Sequence, residues 1–119
     1  MANPGSFLEV RKDDDALVVQ FTRADMTDAA LIKTMGDELY RLVQDVEGPK
    51  LALDFAKVER MSSASLGMLV ALNKVIGRQD GQLRVASVAE HLIDIFRMTK
   101  LDQVLTICDT AEAAVASFS

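Results

Sequence analysis

The chain has 119 residues, half of them hydrophobic, and its 13 Lys and Arg against 18 Asp and Glu give a net charge of −5. That is enough apolar material for one domain with a real core, and the acidic balance argues against nucleic acid or an anionic membrane surface as the main partner, because both need a basic footprint. The single cysteine, Cys108, excludes an internal disulfide, and together with the single histidine, His91, it falls short of a zinc ligand set.

The opening MANPGSF lacks the basic segment and apolar core of a secretory leader. No run approaches the roughly 18–20 apolar residues of a membrane span, so the expectation is a soluble, cytoplasmic protein. Residues 7–11 and 16–21 have the length and composition of short strands. KDDD separates them with turn-favouring aspartates, which predicts an antiparallel hairpin. After TRADMTDAA, where Thr27 or Asp28 can cap a helix, Ile32, Met35, Leu39, Leu42, Val43 and Val46 recur at spacings of three and four. That helix stops at EGP: Gly48 suits the position after the last turn and Pro49 blocks continuation. KLALDF (50–55) reads as a strand apolar on both faces, as found in sheets covered on both sides. A helix is predicted over 64–78 with Leu66, Leu69, Leu72, Val75 and Ile76 inward, and QDG ends it. QLRVASV is the next strand, 89–99 a helix burying Leu92, Ile95 and Phe96, and VLTI (104–107) a last short strand. DTAE (109–112) resembles the capping box of a final helix reaching to about residue 118.

The order is β-β-α-β-α-β-α-β-α, without repeats, low-complexity segments or a linker. It predicts one α/β domain: a single-layer, mostly parallel sheet with helices, to which the opening hairpin adds an antiparallel strand.

Sites in such sheets form beyond the carboxyl ends of the parallel strands. The loops after the second and third strands, TRADMT (22–27) and AKVERMSS (56–63), are the best placed. If those strands are neighbours, Asp25, Met26, Ser62 and Ser63 share one end of the molecule. Ser62, Ser63 and Ser65 then crowd the amino terminus of a helix, where free N–H groups and the dipole favour negative charge. A cap needs one hydroxyl. A phosphate on another would add about −1.5 to −2 charges to an exposed face. Asp25, Met26, Lys57, Arg60, Met61, Ala64 and Met68, with the serines, make up a candidate docking surface, methionine because its thioether adapts to varied partners. The alternatives are core packing for the methionines and a solvated loop for Lys57, Glu59 and Arg60. Ser63 with His91 is a conceivable hydrolytic pair. No G-x-S-x-G elbow, P-loop or G-x-G-x-x-G accompanies it, so no catalytic residue, metal site or cofactor is assigned.

LDFAKVERMSSASLGMLV resembles the signature of the STAS domain, named for sulfate transporters and anti-sigma factor antagonists. Against the pattern Asp-Leu-Ser-x-Val-x-x-Met-Asp-Ser-Ser-Gly-Leu-Gly, residues Asp54, Phe55, Val58, Met61, Ser63, Leu66 and Gly67 fall in register. RVASVAEHLIDIFRMTKLDQVLTI is similar to the family's tail and TRADMTDAALIK to its loop before the first helix, so the resemblance runs from about residue 7 to 116. It implies the fold derived above. It also implies a bacterial regulator, monomeric when free, that binds an anti-sigma factor which is itself a serine kinase. That kinase phosphorylates the serine after the motif aspartate and releases the antagonist; a phosphatase resets it. The matching serine is Ser63, with Ser62 and Ser65 as the other possible acceptors, and the family's loop aspartate matches Asp25. The chain departs from the pattern at Ser62 for the aspartate, Ala64 for the second serine and Ser65 for the glycine. Those departures leave a second reading open: a phosphorylation-independent scaffold, or a sensory module for a small ligand such as a nucleotide.

Overall fold

The computed structural model describes residues 7–118, so the leader weighed for the first six residues lies outside it. In chain order its strands are β1 (Leu8–Asp13), β2 (Ala16–Phe21), β3 (Asp25–Met26), β4 (Lys50–Asp54), β5 (Arg60–Met61), β6 (Gln82–Ala86) and β7 (Thr106–Cys108). The helices are α1 (Ala29–Val43), α2 (Ser63–Arg78), α3 (Glu90–Met98) and α4 (Ala111–Ala116). Five strands form one sheet in the order β1-β2-β4-β6-β7, and β3 pairs with β5 alone.

Only β1 is antiparallel. It meets β2 from Leu8↔Phe21 to Asp13↔Ala16, which leaves a two-residue turn at Asp14 and Asp15. Asp14 takes φ 53°, in the left-handed region that aspartate tolerates better than most residues. The other pairings are parallel, as expected where helices return the chain across a sheet.

Side chains alternate along a strand, so the continuous apolar runs present two buried faces. One face carries Val19, Phe21, Leu51, Leu53, Leu83 and Val85 against α1, α2 and α3. The other carries Val18, Ala52 and Ala86 against Ala111 and Ala114 of α4. The small residues on this second face let a six-residue helix lie close. Phe21 and Phe55 meet edge-to-face at 5.1 Å and 71°, a favourable arrangement of ring quadrupoles beneath the carboxyl ends of β2 and β4.

The helical periodicities hold with shifts that have local causes. Asp28, not Thr27, caps α1 by accepting from the Leu31 N–H at 3.0 Å. α1 buries Ile32, Met35, Leu39 and Val43 and ends there, so Val46 lies outside it and is 44% exposed, while Leu42 is half-buried. On α2 the fully buried stripe is Ser65, Leu69, Leu72 and Ile76, which turns Leu66 and Val75 to half-buried flanks. On α3, Leu92 and Phe96 are buried and Ile95 is half-buried. A 3-10 turn at Leu101–Gln103 intervenes before the last strand, so β7 starts at Thr106 and Val104 is exposed. Thr110, one residue later than the predicted cap, accepts from the Ala113 N–H at 3.0 Å and opens α4.

Gly48 lies five residues past α1, at φ 63°, and its N–H donates to the Gln79 carbonyl at 2.8 Å. The Gln79 side chain donates back to the Val43 carbonyl and to the Val46 carbonyl at 2.7 Å, tying the carboxyl ends of α1 and α2 together. Beside this knot, a Cβ on Gly81 would stand 2.3 Å from the Pro49 carbonyl oxygen, a clash that backbone cannot relieve locally. Gly77 has nothing within 4 Å of the same position. Gly81→Ala should therefore lose about 2 kcal/mol or more to overpacking, whereas Gly77→Ala should gain up to about 1 kcal/mol from helix propensity. Urea unfolding of both variants checks this, and equal stabilities would refute the close approach at Gly81.

Candidate functional site

β2 and β4 are parallel neighbours in the register Ala16↔Lys50 to Gln20↔Asp54, so the condition set by the sequence is met and their following loops meet at one end. The loops pair a second time through β3 and β5, Asp25 opposite Arg60 and Met26 opposite Met61. This pairing gives no sequence signal, because two residues are too few for a period. Further contacts fix the second loop. The Ala24 carbonyl accepts from the N–H groups of Glu59 at 2.7 Å and Arg60 at 3.0 Å. Asp54 turns the chain out of β4: one carboxylate oxygen accepts from the Ala56 N–H at 2.9 Å and the other from the Gln20 side chain at 3.1 Å. Val58 plugs the loop into the core, 2% exposed. From α3, His91 Nε2 lies 2.7 Å from the Glu59 carbonyl, and since a carbonyl only accepts, Nε2 carries the proton and donates. His91 thus holds the loop, and its Nε2 is directed to Glu59 rather than to Ser63.

The three serines divide by role. Ser62 is the N-cap of α2, and its hydroxyl accepts from the Ser65 N–H at 3.4 Å. The Ser65 hydroxyl accepts from the Ser62 N–H at 2.8 Å and donates to the Ser62 carbonyl at 2.8 Å. The pair is a reciprocal capping box with serine in the place usually held by glutamate or glutamine. Ser65 is wholly buried, so it does not supply an accessible hydroxyl, and Ser62 is half-buried and engaged. Ser63, the first helical residue, is exposed, and its hydroxyl makes no hydrogen bond among the described residues.

The remaining candidates separate in the same way. Lys57, Arg60 and Ala64 are exposed, and neither cation has an ion pair among the described residues. Met61 and Met68 are half-buried, packed on the core with part of each surface outward. Met26 is 0% exposed: its strand turns it into the core, which removes it from the docking surface. Asp25 is half-buried and accepts from the Thr27 N–H at 3.0 Å and from the Thr27 hydroxyl, an arrangement that leads the chain into the Asp28 cap. Sequence reasoning missed the holding roles of Gln20, Asp54 and His91, which depend on neighbours 32 to 34 residues away in the chain.

The sequence pattern of the STAS domain matches residues 8–114. The chain belongs to the STAS-domain family. Over 69 residues it is 30% identical to the anti-sigma-B factor antagonist of Bacillus subtilis (strain 168), a match covering 58% of this chain and 63% of that relative's length. Its fold is similar to that of an anti-sigma factor antagonist from Mycobacterium paratuberculosis, with a TM-score of 0.81, 22% identity and coverage of 99% and 98% of the two chains. It is also similar to the anti-sigma factor antagonist SpoIIAA in its unphosphorylated form, with a TM-score of 0.66, 12% identity and coverage of 92% and 94%. At these identities the structural likeness establishes the fold.

Two of this chain's three departures from the STAS pattern explain each other. Serine at 62 keeps a capping oxygen where the pattern has aspartate, and serine at 65 closes the box where the pattern has glycine. Together they retain the helix start while removing one negative charge from beside Ser63. Among the described residues no helix is long and apolar enough to cross a membrane.

Ser65→Ala should cost about 1–2 kcal/mol, because it strips the Ser62 N–H of its acceptor and loses the box. Ser63→Ala, at an exposed position without partners, should stay within about 0.5 kcal/mol of the wild type. Thermal and urea unfolding of the two variants checks the division of roles; a Ser63→Ala loss matching that of Ser65→Ala would refute it.

Proposed function

We propose that this protein is a partner-switching regulator of the anti-sigma factor antagonist type, with Ser63 as its phosphoacceptor. Unphosphorylated, it binds an anti-sigma factor that is also a serine kinase and so frees a sigma factor; phosphorylation of Ser63 releases it, and a serine phosphatase restores it. The observation that carries this reading is the unequal fate of three adjacent hydroxyls. Two close the cap of α2, and the third stands exposed and unengaged at the position of the family's phosphorylated serine. The relative from Bacillus subtilis carries the same functional name.

The physics of the position favours a surface switch over an unfolding switch. A phosphate on Ser63 would sit at the amino end of a sixteen-residue helix, where the dipole favours an anion by about 0.3–1 kcal/mol. It would leave the fold intact and put about −1.5 to −2 charges on the docking face. On the loop before Ser63 and the first turns of α2, Lys57, Arg60 and Ala64 are exposed and Met61 and Met68 half-buried, a mixed polar and apolar set. A binding role is favoured over a hydrolytic one by His91, whose Nε2 is directed to the Glu59 carbonyl rather than to Ser63. For the ligand-module reading, a polar cavity of about 500 Å³ lies at the hairpin end, lined by Asp13, Asp14, Asp15 and Lys50, opposite the serines.

Ser63→Asp should weaken partner docking by about 2 kcal/mol or more, since it buries an unpaired carboxylate in the interface. Ser63→Ala should bind nearly as wild type and accept no phosphate. Affinity capture from the source cell with the three baits, followed by mass spectrometry, tests both. An ATP-binding kinase retained by wild type and Ser63→Ala and lost by Ser63→Asp supports the switch; one partner captured equally by all three refutes it.

A further inference from the structure

β1 is an edge of the main sheet, and β2 is its one neighbour among the described residues. The Thr22 N–H donates to the Phe7 carbonyl at 2.9 Å. Hydrogen-bonded positions alternate along an antiparallel pair, so Phe7, Glu9, Arg11 and Asp13 turn their peptide groups toward Thr22, Gln20, Val18 and Ala16. Val10 and Lys12 therefore aim their N–H and C=O groups outward, where they meet no partner among the described residues. An edge of this kind is a template for a further strand.

The order of charges along this edge names the strand that fits. In a chain of net charge −5, β1 is neutral: Glu9 and Asp13 offset Arg11 and Lys12. Two copies of β1 related by a twofold axis pair antiparallel, in a register set by the residue on the axis. With Val10 there, each Val10 N–H meets the Val10 carbonyl of the other copy, and Glu9 of each copy falls opposite Arg11 of the other. Glu9 and Arg11 then form non-hydrogen-bonded pairs, in which opposed side chains lie closest. Both are exposed and stand on the α4 side of the sheet, since Arg11 is in register with Val18. Val10, half-buried against the core on the other side, covers its outward part with its own copy. The same register sets Asp13 opposite Phe7, whose ring carries the Arg23 guanidinium at 5.1 Å. Centring on Glu9, Arg11, Lys12 or Asp13 instead puts two like charges on the axis, and centring on Leu8 carries the pairing past the start of β1. The solvent-exposed contact of Arg11 with Asp13, at 3.4 Å, is too weak to hold Arg11 from a new partner.

We infer that a second copy of this chain adds to the β1 edge, in a twofold dimer centred on Val10 in which Glu9 and Arg11 pair reciprocally and two five-stranded sheets become continuous. The inference is independent of the partner-switching reading and departs from the monomer that the family resemblance implies. A six-residue strand is a small interface, so the dimer is of the weak, concentration-dependent kind.

Sedimentation equilibrium of the full chain, at concentrations up to about 1 mM, tests this. A monomer–dimer equilibrium is expected. Glu9→Arg and Arg11→Glu each set two like-charge pairs across the axis and should weaken the dimer about tenfold or more. An equimolar mixture of the two variants should recover it as a heterodimer, because both cross-strand pairs are again arginine against glutamate. In the wild type, amide hydrogen exchange at Val10 should slow as concentration rises. Circular dichroism confirms that both variants, changed only at exposed positions, fold. A monomer throughout, a dimer indifferent to both substitutions, a mixture that associates no better than either variant alone, or Val10 exchange that ignores concentration would overturn the inference.

Discussion

The parallel pairing of β2 with β4 is the constraint on which the rest of the molecule depends. It sends two loops out of the same end of the sheet in the same direction, close enough to pair again at Asp25↔Arg60 and Met26↔Met61. Everything at the candidate site follows from that second contact: the buried Met26, the buried Val58 and the fixed approach of the chain to Ser62. Strands buried on both faces have little freedom to slip, since a one-residue shift would exchange Leu51 and Leu53 with the alanine that α4 needs between them.

On this platform a small economy of hydroxyls defines the site. A helix start leaves N–H groups without partners, and satisfying them is obligatory wherever water is excluded. Ser62 and Ser65 do this for each other, and Ser65 disappears into the core in doing so. The neighbouring Ser63 is left with no structural duty. A residue that nothing in the fold needs, held rigidly at an exposed helix terminus, is well placed to carry a reversible charge.

The same helix serves two surfaces. Its inner row is part of the core, and Met68, Ala71 and Val75 of the adjacent row form one wall of a largely apolar groove against α1.

Long apolar patterns were legible from the sequence because their physics is local. Ala16–Phe21 follows from a short apolar run and the cores of α1 and α2 from spacings of three and four, and caps at Thr27 or Asp28 and within the serine cluster follow from the shortage of partners at helix ends. The family motif, and with it the position of Ser63, could be read from residue types alone. Other features required the tertiary structure: that Met26 is core and Met68 half-exposed, that His91 holds Glu59, that Val75 faces a groove, and that Ser65 rather than Leu66 points inward. Each depends on a neighbour distant in the chain or on a few tens of degrees of helix rotation. Periodicity fixes which residues share a face; only packing against another element decides whether that face is core, groove or solvent.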